Sequence, residues 1–231
     1  MHTDLLIKLT GLKNNHRVLY ILAFALAFTL QAKAQTITAL YTTRHLATQV
    51  NIYTNDSLTK SYTEKLSIPN SEHNYIYSNK RSLYTLTASP GYVRSTIAGE
   101  TAPHILDYPT AEVFFKDLEL GSMLLISTTG KGNANFSGDL PVFKWKITTE
   151  KKTIAQHLCR KATCTFNGKI IIAWYATDIK IKDGPARFNG LPGLILKVRV
   201  GDYLETTANR ITIQPGDTEI IPPGTNEKTK Q

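Results

Sequence analysis

The chain is 231 residues long, 42% hydrophobic, and carries a formal net charge of +9. Its Lys and Arg residues are scattered, as in Lys151-Lys152, Arg160-Lys161 and Lys197 with Arg199, so no single dense basic block marks an anionic-polymer site. No internal repeat or low-complexity tract is present, and the length left after its first segment fits one ordinary domain with a substantial core.

Residues 1–34 read as a secretory signal peptide. Lys8, Lys13, His16 and Arg17 form a basic n-region, and 18–30 is an apolar h-region, shorter than the roughly 20 residues of a spanning helix. Ala32-Lys33-Ala34 supplies the small-x-small cleavage site, so Gln35 begins the mature chain; a retained N-terminal anchor is the competing reading. No cysteine follows the h-region until Cys159, which argues against a lipoprotein. Removing four basic residues and one acidic residue from +9 leaves a mature chain at +6. Export makes nucleic acid an unsuitable partner, and the mature chain is not expected to span a membrane.

From Gln35 onward, short strands and turn signals dominate. Residues 36–54, long enough for two strands, and 58–68 flank Asn55-Asp56 as a first hairpin. Residues 73–77 and 82–87 flank Asn79-Lys80 as a second. Thr110 could cap a short helix, but Val113, Phe114 and Phe115 prefer a strand, and 112–116 is read as one. Strands are also expected at 123–127 and 142–149, with the glycine-rich 129–138 as the loop between them. Beyond Ile221 the polar tail 222–231 cannot bury enough to order itself. The expected domain is therefore 35–221.

Asn167-Gly168 is the strongest short hairpin signal in the chain, because both residues tolerate the positive φ of a type I′ turn. A two-residue loop places Phe166 opposite Lys169, Cys164 opposite Ile171, Ala162 opposite Ala173 and Arg160 opposite Tyr175. The second strand, 170–175, is apolar on both faces, as expected of a strand covered on both sides or lining a hollow. Gly184-Pro185 and Gly190-Leu191-Pro192-Gly193 are breakers. Pro192 suits the second position of a turn, and Gly193 the third position of a type II turn with positive φ. Leu194, Leu196, Val198 and Val200 then alternate with Lys197 and Arg199, as a strand with one buried face would. Gly201-Asp202 turns into a last strand at 203–207. The same stretch, from Ala173-Trp174-Tyr175 through Asp178-Ile179, Gly184-Pro185, Phe188 and 190–196, resembles the GLPGLI family of Bacteroidetes exported proteins. The likeness runs over about residues 143–200, with Cys159-Arg160-Lys161-Ala162 upstream, and departs from the family pattern at His157 and Lys180. It implies a mostly β fold and an envelope location, in the periplasm or outer envelope. It implies no established activity, cofactor or catalytic residue.

The expected fold is mainly β: a single curved antiparallel sheet, half-barrel or barrel-like, built of hairpins with little helix after the signal peptide. A two-sheet β-sandwich is the alternative. Cys159 and Cys164 lie five apart on one strand, so they face opposite ways with Cα atoms about 16 Å apart, beyond the roughly 7 Å a disulfide spans. Two buried free thiols are expected. No histidine lies at convincing metal-ligand spacing, and no Gly-x-Ser-x-Gly elbow is present. Asp178 and Asp183 read as turn caps, and Arg187 as a surface partner of Asp183 or a receptor for a ligand carboxylate. Trp174, Tyr175, Arg187 and Phe188 are the candidate ligand-binding side chains, set against plain core packing. Asn167, Gly168, Gly184, Pro185, Gly190, Leu191, Pro192 and Gly193 are the structural motif. The function expected is a non-enzymatic binding or carrier module with an apolar groove, taking an apolar or anionic ligand or an envelope protein. A docking protein for an outer-membrane partner and a hydrolase with an unassigned site are the alternatives.

Overall fold

A computed structural model describes residues 34–46, 50–52, 60–62, 68–95 and 104–224. The N-terminal segment 1–33, the turn Asn55-Asp56 and the tail 225–231 lie outside the described residues. Fifteen strands and no helix are present among the described residues. They are β1 (Gln35–His45), β2 (Val50–Ile52), β3 (Lys60–Tyr62), β4 (Ser71–Ser78) and β5 (Arg81–Ala88). Next come β6 (Tyr92–Ser95), β7 (His104–Asp107), β8 (Ala111–Asp117), β9 (Ser122–Thr129) and β10 (Gly132–Asp139). The last are β11 (Lys146–Ile154), β12 (His157–Phe166), β13 (Lys169–Ala176), β14 (Ile195–Val200) and β15 (Leu204–Pro215).

Eleven of these strands form one antiparallel sheet in the order β10-β9-β8-β5-β4-β1-β15-β14-β13-β12-β11. The pairs β2-β3 and β6-β7 are separate two-stranded ribbons. The large sheet is curved and does not close, since β10 and β11 are its two ends. Its curvature is visible in the core: Tyr41, Tyr75, Tyr84, Phe114 and Met123 pack in the same cluster as Ile154, Cys159 and Ala176 from strands far across the sheet. This is the single curved sheet expected.

Two-residue turns set most of the register. Asn167 and Gly168 have φ of 49° and 73°, and every pairing counted back from them is present, from Phe166↔Lys169 to Arg160↔Tyr175. Asn79-Lys80 makes the same turn with φ of 48° and 61°, so that Ser78 pairs with Arg81. The loop expected at 129–138 is instead strand β10. Nearly every residue of this edge strand is exposed, so it carries no inward apolar alternation to betray it. The strand expected at 142–149 starts later, at Lys146 and runs to Ile154, because Phe143 and Trp145 turn into the core with Phe188. The turn after it is Ala155-Gln156, with φ of 46° and 70°, residues that give no turn signature.

Lateral partners in an antiparallel sheet share a face. A row therefore crosses five strands on the inner face: Ala39, Tyr75, Tyr84, Phe114 and Leu125. The next rows place His73 beside Tyr41 and Lys116 beside Ser82 on that face. Tyr41 donates to the Ile195 carbonyl at 2.8 Å, and its ring meets Tyr75 and Tyr84 edge-on at 6.0 and 5.8 Å. On β14 the alternation is broken by a bulge opposite Trp174 and Tyr175, so Ile195 and Leu196 are both buried along with Leu194 and Val198. Both cysteines are free and buried, and burial pushes each thiol up to about 11.

Candidate functional site

Between β13 and β14 the chain leaves the sheet for residues 177–194, which cross the inner face as a strap. Its middle is fixed from below by Lys116. That ammonium is fully buried and forms an ion pair with the equally buried Asp183 carboxylate. It also donates to the Gly184 carbonyl at 2.6 Å and the Phe188 carbonyl at 3.3 Å. Tyr75 donates to the second Asp183 oxygen at 2.9 Å. Burial lowers the Lys116 pKa, and Asp183 opposes that shift. This corrects the expectation of a turn cap or a surface partner for Arg187: Asp183 is buried, and the residue that claims it lies 67 positions away. Asp178, by contrast, pairs with His157 at 2.7 Å.

The strap's end is held by close packing. Gly190 has a positive φ of 89°, and Trp145 Nε1 donates to the neighbouring Asn189 carbonyl at 2.9 Å. Gly193 is not among the positive-φ residues, which corrects the type II turn expected there. A β-carbon on Gly193 would lie 1.9 Å from the Ala176 carbonyl oxygen. Glycine is required because two backbones touch, with Leu194 O accepting from Ala176 N at 2.8 Å right beside it.

The strap, through Ala186, Arg187 and Phe188, bounds a pocket with the inner face of the sheet. Its cavity measures about 460 Å³ and is open at the mouth. Leu86, Phe114, Ile171, Phe188 and Val200 provide apolar wall, with Tyr84 on the sheet side. Its polar lining includes His73 from β4, Glu112 from β8 and Arg187 from the strap. His73 is 5% exposed, stacks on Tyr84 with ring centroids 4.5 Å apart, and has an Nδ1 with no hydrogen-bond partner. Burial lowers its pKa to about 4, so it is neutral at neutral pH. Its Nε2 lies 4.0 Å from Glu112 Oε1, a contact between a neutral ring and a carboxylate rather than an ion pair. Burial raises the Glu112 pKa, and the Arg187 charge pulls it back part of the way. Arg187 is exposed and forms no ion pair within 4.0 Å among the described residues. Thr43 and Thr206 hydrogen-bond to one another at 2.9 Å on the same wall.

Residues 165–197 match Porph_ging, a family described as a protein of unknown function. No curated protein matches the chain. Two solved structures of PNGF-II, in C2 and P21 crystal forms, are similar to it at 19% and 18% identity, each with a TM-score of 0.49. They cover 79% of this chain, which spans 28% and 29% of theirs, so it matches less than a third of that protein's length.

Of the four candidate ligand-binding side chains, Arg187 and Phe188 line this pocket and Trp174 and Tyr175 do not. Tyr175 is buried in the cluster beneath Leu191 and Ile195. Trp174 points to the other face of β13, where the Lys152 ammonium lies 4.0 Å above its ring. Ile170 on that face is 63% exposed, so β13 is covered fully on one side only. His73, Glu112, Tyr84 and Phe114 are pocket residues that the sequence reading did not single out. One signal existed: His73, Tyr75 and Tyr77 alternate, which puts a histidine on a face built of tyrosine.

Proposed function

We propose that this is an exported envelope protein of the GLPGLI family whose residues 35–221 form a non-enzymatic binding or carrier module. The pocket on the inner face of the sheet is its site. The observation that carries this reading is an apolar-walled cavity of about 460 Å³ into which the motif itself delivers Arg187 and Phe188. Such a volume is ordinary for small-ligand pockets of about 300–1,000 Å³. Mass spectrometry of the protein recovered from the envelope should find Gln35 as its N-terminus; an intact Met1 species there would refute the export reading.

The binding reading is tested with an apolar fluorophore such as 1-anilinonaphthalene-8-sulfonate. Saturable one-site enhancement is expected, and Leu86→Trp, which fills the cavity, should abolish it while leaving the melting temperature near wild type. Weak, unsaturable enhancement that Leu86→Trp leaves alone would overturn it. A hydrolase is the second reading, and the His73–Glu112 neighbourhood is what favours it. It is the poorer one for two reasons. An imidazole with a pKa of about 4 is a weak base at neutral pH. No hydroxyl or thiol among the described residues hydrogen-bonds to it.

A further inference from the structure

Among the polar side chains of the pocket, His73, Glu112 and Arg187 lie near one another without bonding to each other. His73 Nδ1 is buried and has no partner. Glu112 and Arg187 feel each other's charge, yet no hydrogen bond or ion pair joins them. The 4.0 Å approach of Glu112 to His73 is too long for a hydrogen bond. A polar group buried without a partner costs free energy, and a protein rarely keeps one that nothing satisfies. Here an arginine donor, a carboxylate acceptor and an imidazole capable of either role converge at one end of an apolar hollow.

The charges set the sign of what fits. Among the described residues, Arg187 and Lys169 are the cations lining the cavity, Glu112 is the one carboxylate, and His45 and His73 are neutral at neutral pH. Lys169 is engaged at the rim, its ammonium 3.8 Å from the centre of the Tyr203 ring. The described lining is therefore net positive, with Arg187 as the available cation and Glu112 beside it wanting a donor. An aliphatic or aromatic body would lie between the rings of Tyr84, Phe114 and Phe188.

We infer that the pocket takes an amphiphilic acid: one carboxylate for Arg187, a hydroxyl or amine next to that carboxylate for Glu112 and His73, and an apolar body for the aromatic walls. This rests on the pocket being the binding site. The geometry favours donor and acid on adjacent atoms because Glu112 stands between His73 and the field of Arg187, so all three polar groups serve one end of the ligand. A plain hydrocarbon would leave them bare, and a cation would meet a positive wall.

Calorimetric titration of the folded protein with 2-hydroxyoctanoate, octanoate and 1,2-octanediol tests this. The three share a body and differ in having acid and donor, acid alone, or donor alone. 2-Hydroxyoctanoate should bind at least tenfold more tightly than either of the others, with amide shift changes at Tyr84, Glu112 and Phe188. Arg187→Gln, at an exposed position, should reduce 2-hydroxyoctanoate to the affinity of the diol and leave the diol unchanged. Glu112→Leu should erase the advantage of 2-hydroxyoctanoate over octanoate. If the diol binds as well as the acids, or if Arg187→Gln leaves the preference intact, the ligand class is wrong while the pocket remains a binding site. If none of the three binds and the shifts do not move, the binding reading itself falls.

Discussion

A β-carbon on Gly193 would sit 1.9 Å from the Ala176 carbonyl oxygen and 2.9 Å from Tyr175 Cδ2. Neither the carbonyl nor the strand carrying it can retreat without breaking the β13 ladder. Gly193→Ala should therefore cost about 3 kcal/mol or more, at the upper end of overpacking. Pro192→Ala should cost only about 0.4–1 kcal/mol, through the unfolded chain. Thermal melts of the two variants check this, and equal losses would refute the contact. His73 supplies a pH dependence. Its folded pKa of about 4 lies below the ordinary 6.5, so the folded state resists the proton that the unfolded state accepts. Its contribution is whole above pH 6.5 and is lost as pH falls toward 4, by about 3 kcal/mol at most. Of the groups facing it, Tyr84 stacks on the ring and does not titrate in this range, and Glu112 acts in reverse, since its raised pKa makes protonation on folding favourable. His73→Phe keeps the stacking and should flatten the fall in melting temperature between pH 7 and 4.5; a parallel fall in the variant would show that His73 is not its source. At this scale the sequence was readable where a residue type carries its own backbone preference, as Asn167-Gly168 does. It was unreadable where the reason lies in a distant neighbour, as at Gly193 and Asp183.

At the scale of elements, hairpins were legible and the strap's anchorage was not. A type I′ turn built on Asn-Gly fixes the whole β12–β13 register, and a strand that alternates declares its face. Ala155-Gln156 makes an equivalent turn from residues with no preference for it, and β10 has no inward apolar row, so both passed unseen. The strap reads as loop from its Gly and Pro, while the lysine that fixes it stands on β8 among Phe114 and Phe115. Lys116→Met leaves the Asp183 carboxylate buried with Tyr75 alone and should cost about 3–5 kcal/mol, the range for breaking a buried pair from one side. Lys116→Met with Asp183→Asn removes both charges and should recover at least half of that loss. Urea midpoints of the single and double variants measure it. A double variant as unstable as the lysine variant would mean that the bonds from Lys116 to the Gly184 and Phe188 carbonyls matter more than the charge pair. Half of the candidate site, Arg187 and Phe188, was visible because it belongs to this strap; the other half comes from β4, β5 and β8.

For the molecule as a whole, sequence order hides the arrangement that matters most. The N-terminal strand β1 sits mid-sheet between β4 and β15, and its pairing with β15 joins residues up to 180 positions apart. No turn announces such a pairing. It joins one half of the sheet, β10-β9-β8-β5-β4-β1, to the other, β15-β14-β13-β12-β11, and the pocket is made from both. Further links tie the halves, among them Tyr41 to the Ile195 carbonyl, and both Tyr75 and Lys116 to Asp183. With the core continuous across these joints, the halves should not unfold separately. The two tryptophans offer a direct check, because Trp145 and Trp174 both belong to the second half. Both tryptophan probes are thus carried by that half, whereas far-ultraviolet circular dichroism reports strands of both. The two urea transitions should coincide in midpoint and slope, and Lys116→Met, made in the first half, should shift both midpoints by the same amount. A fluorescence transition that stayed in place while the dichroism moved would show two independent units, with a pocket that forms only when they dock.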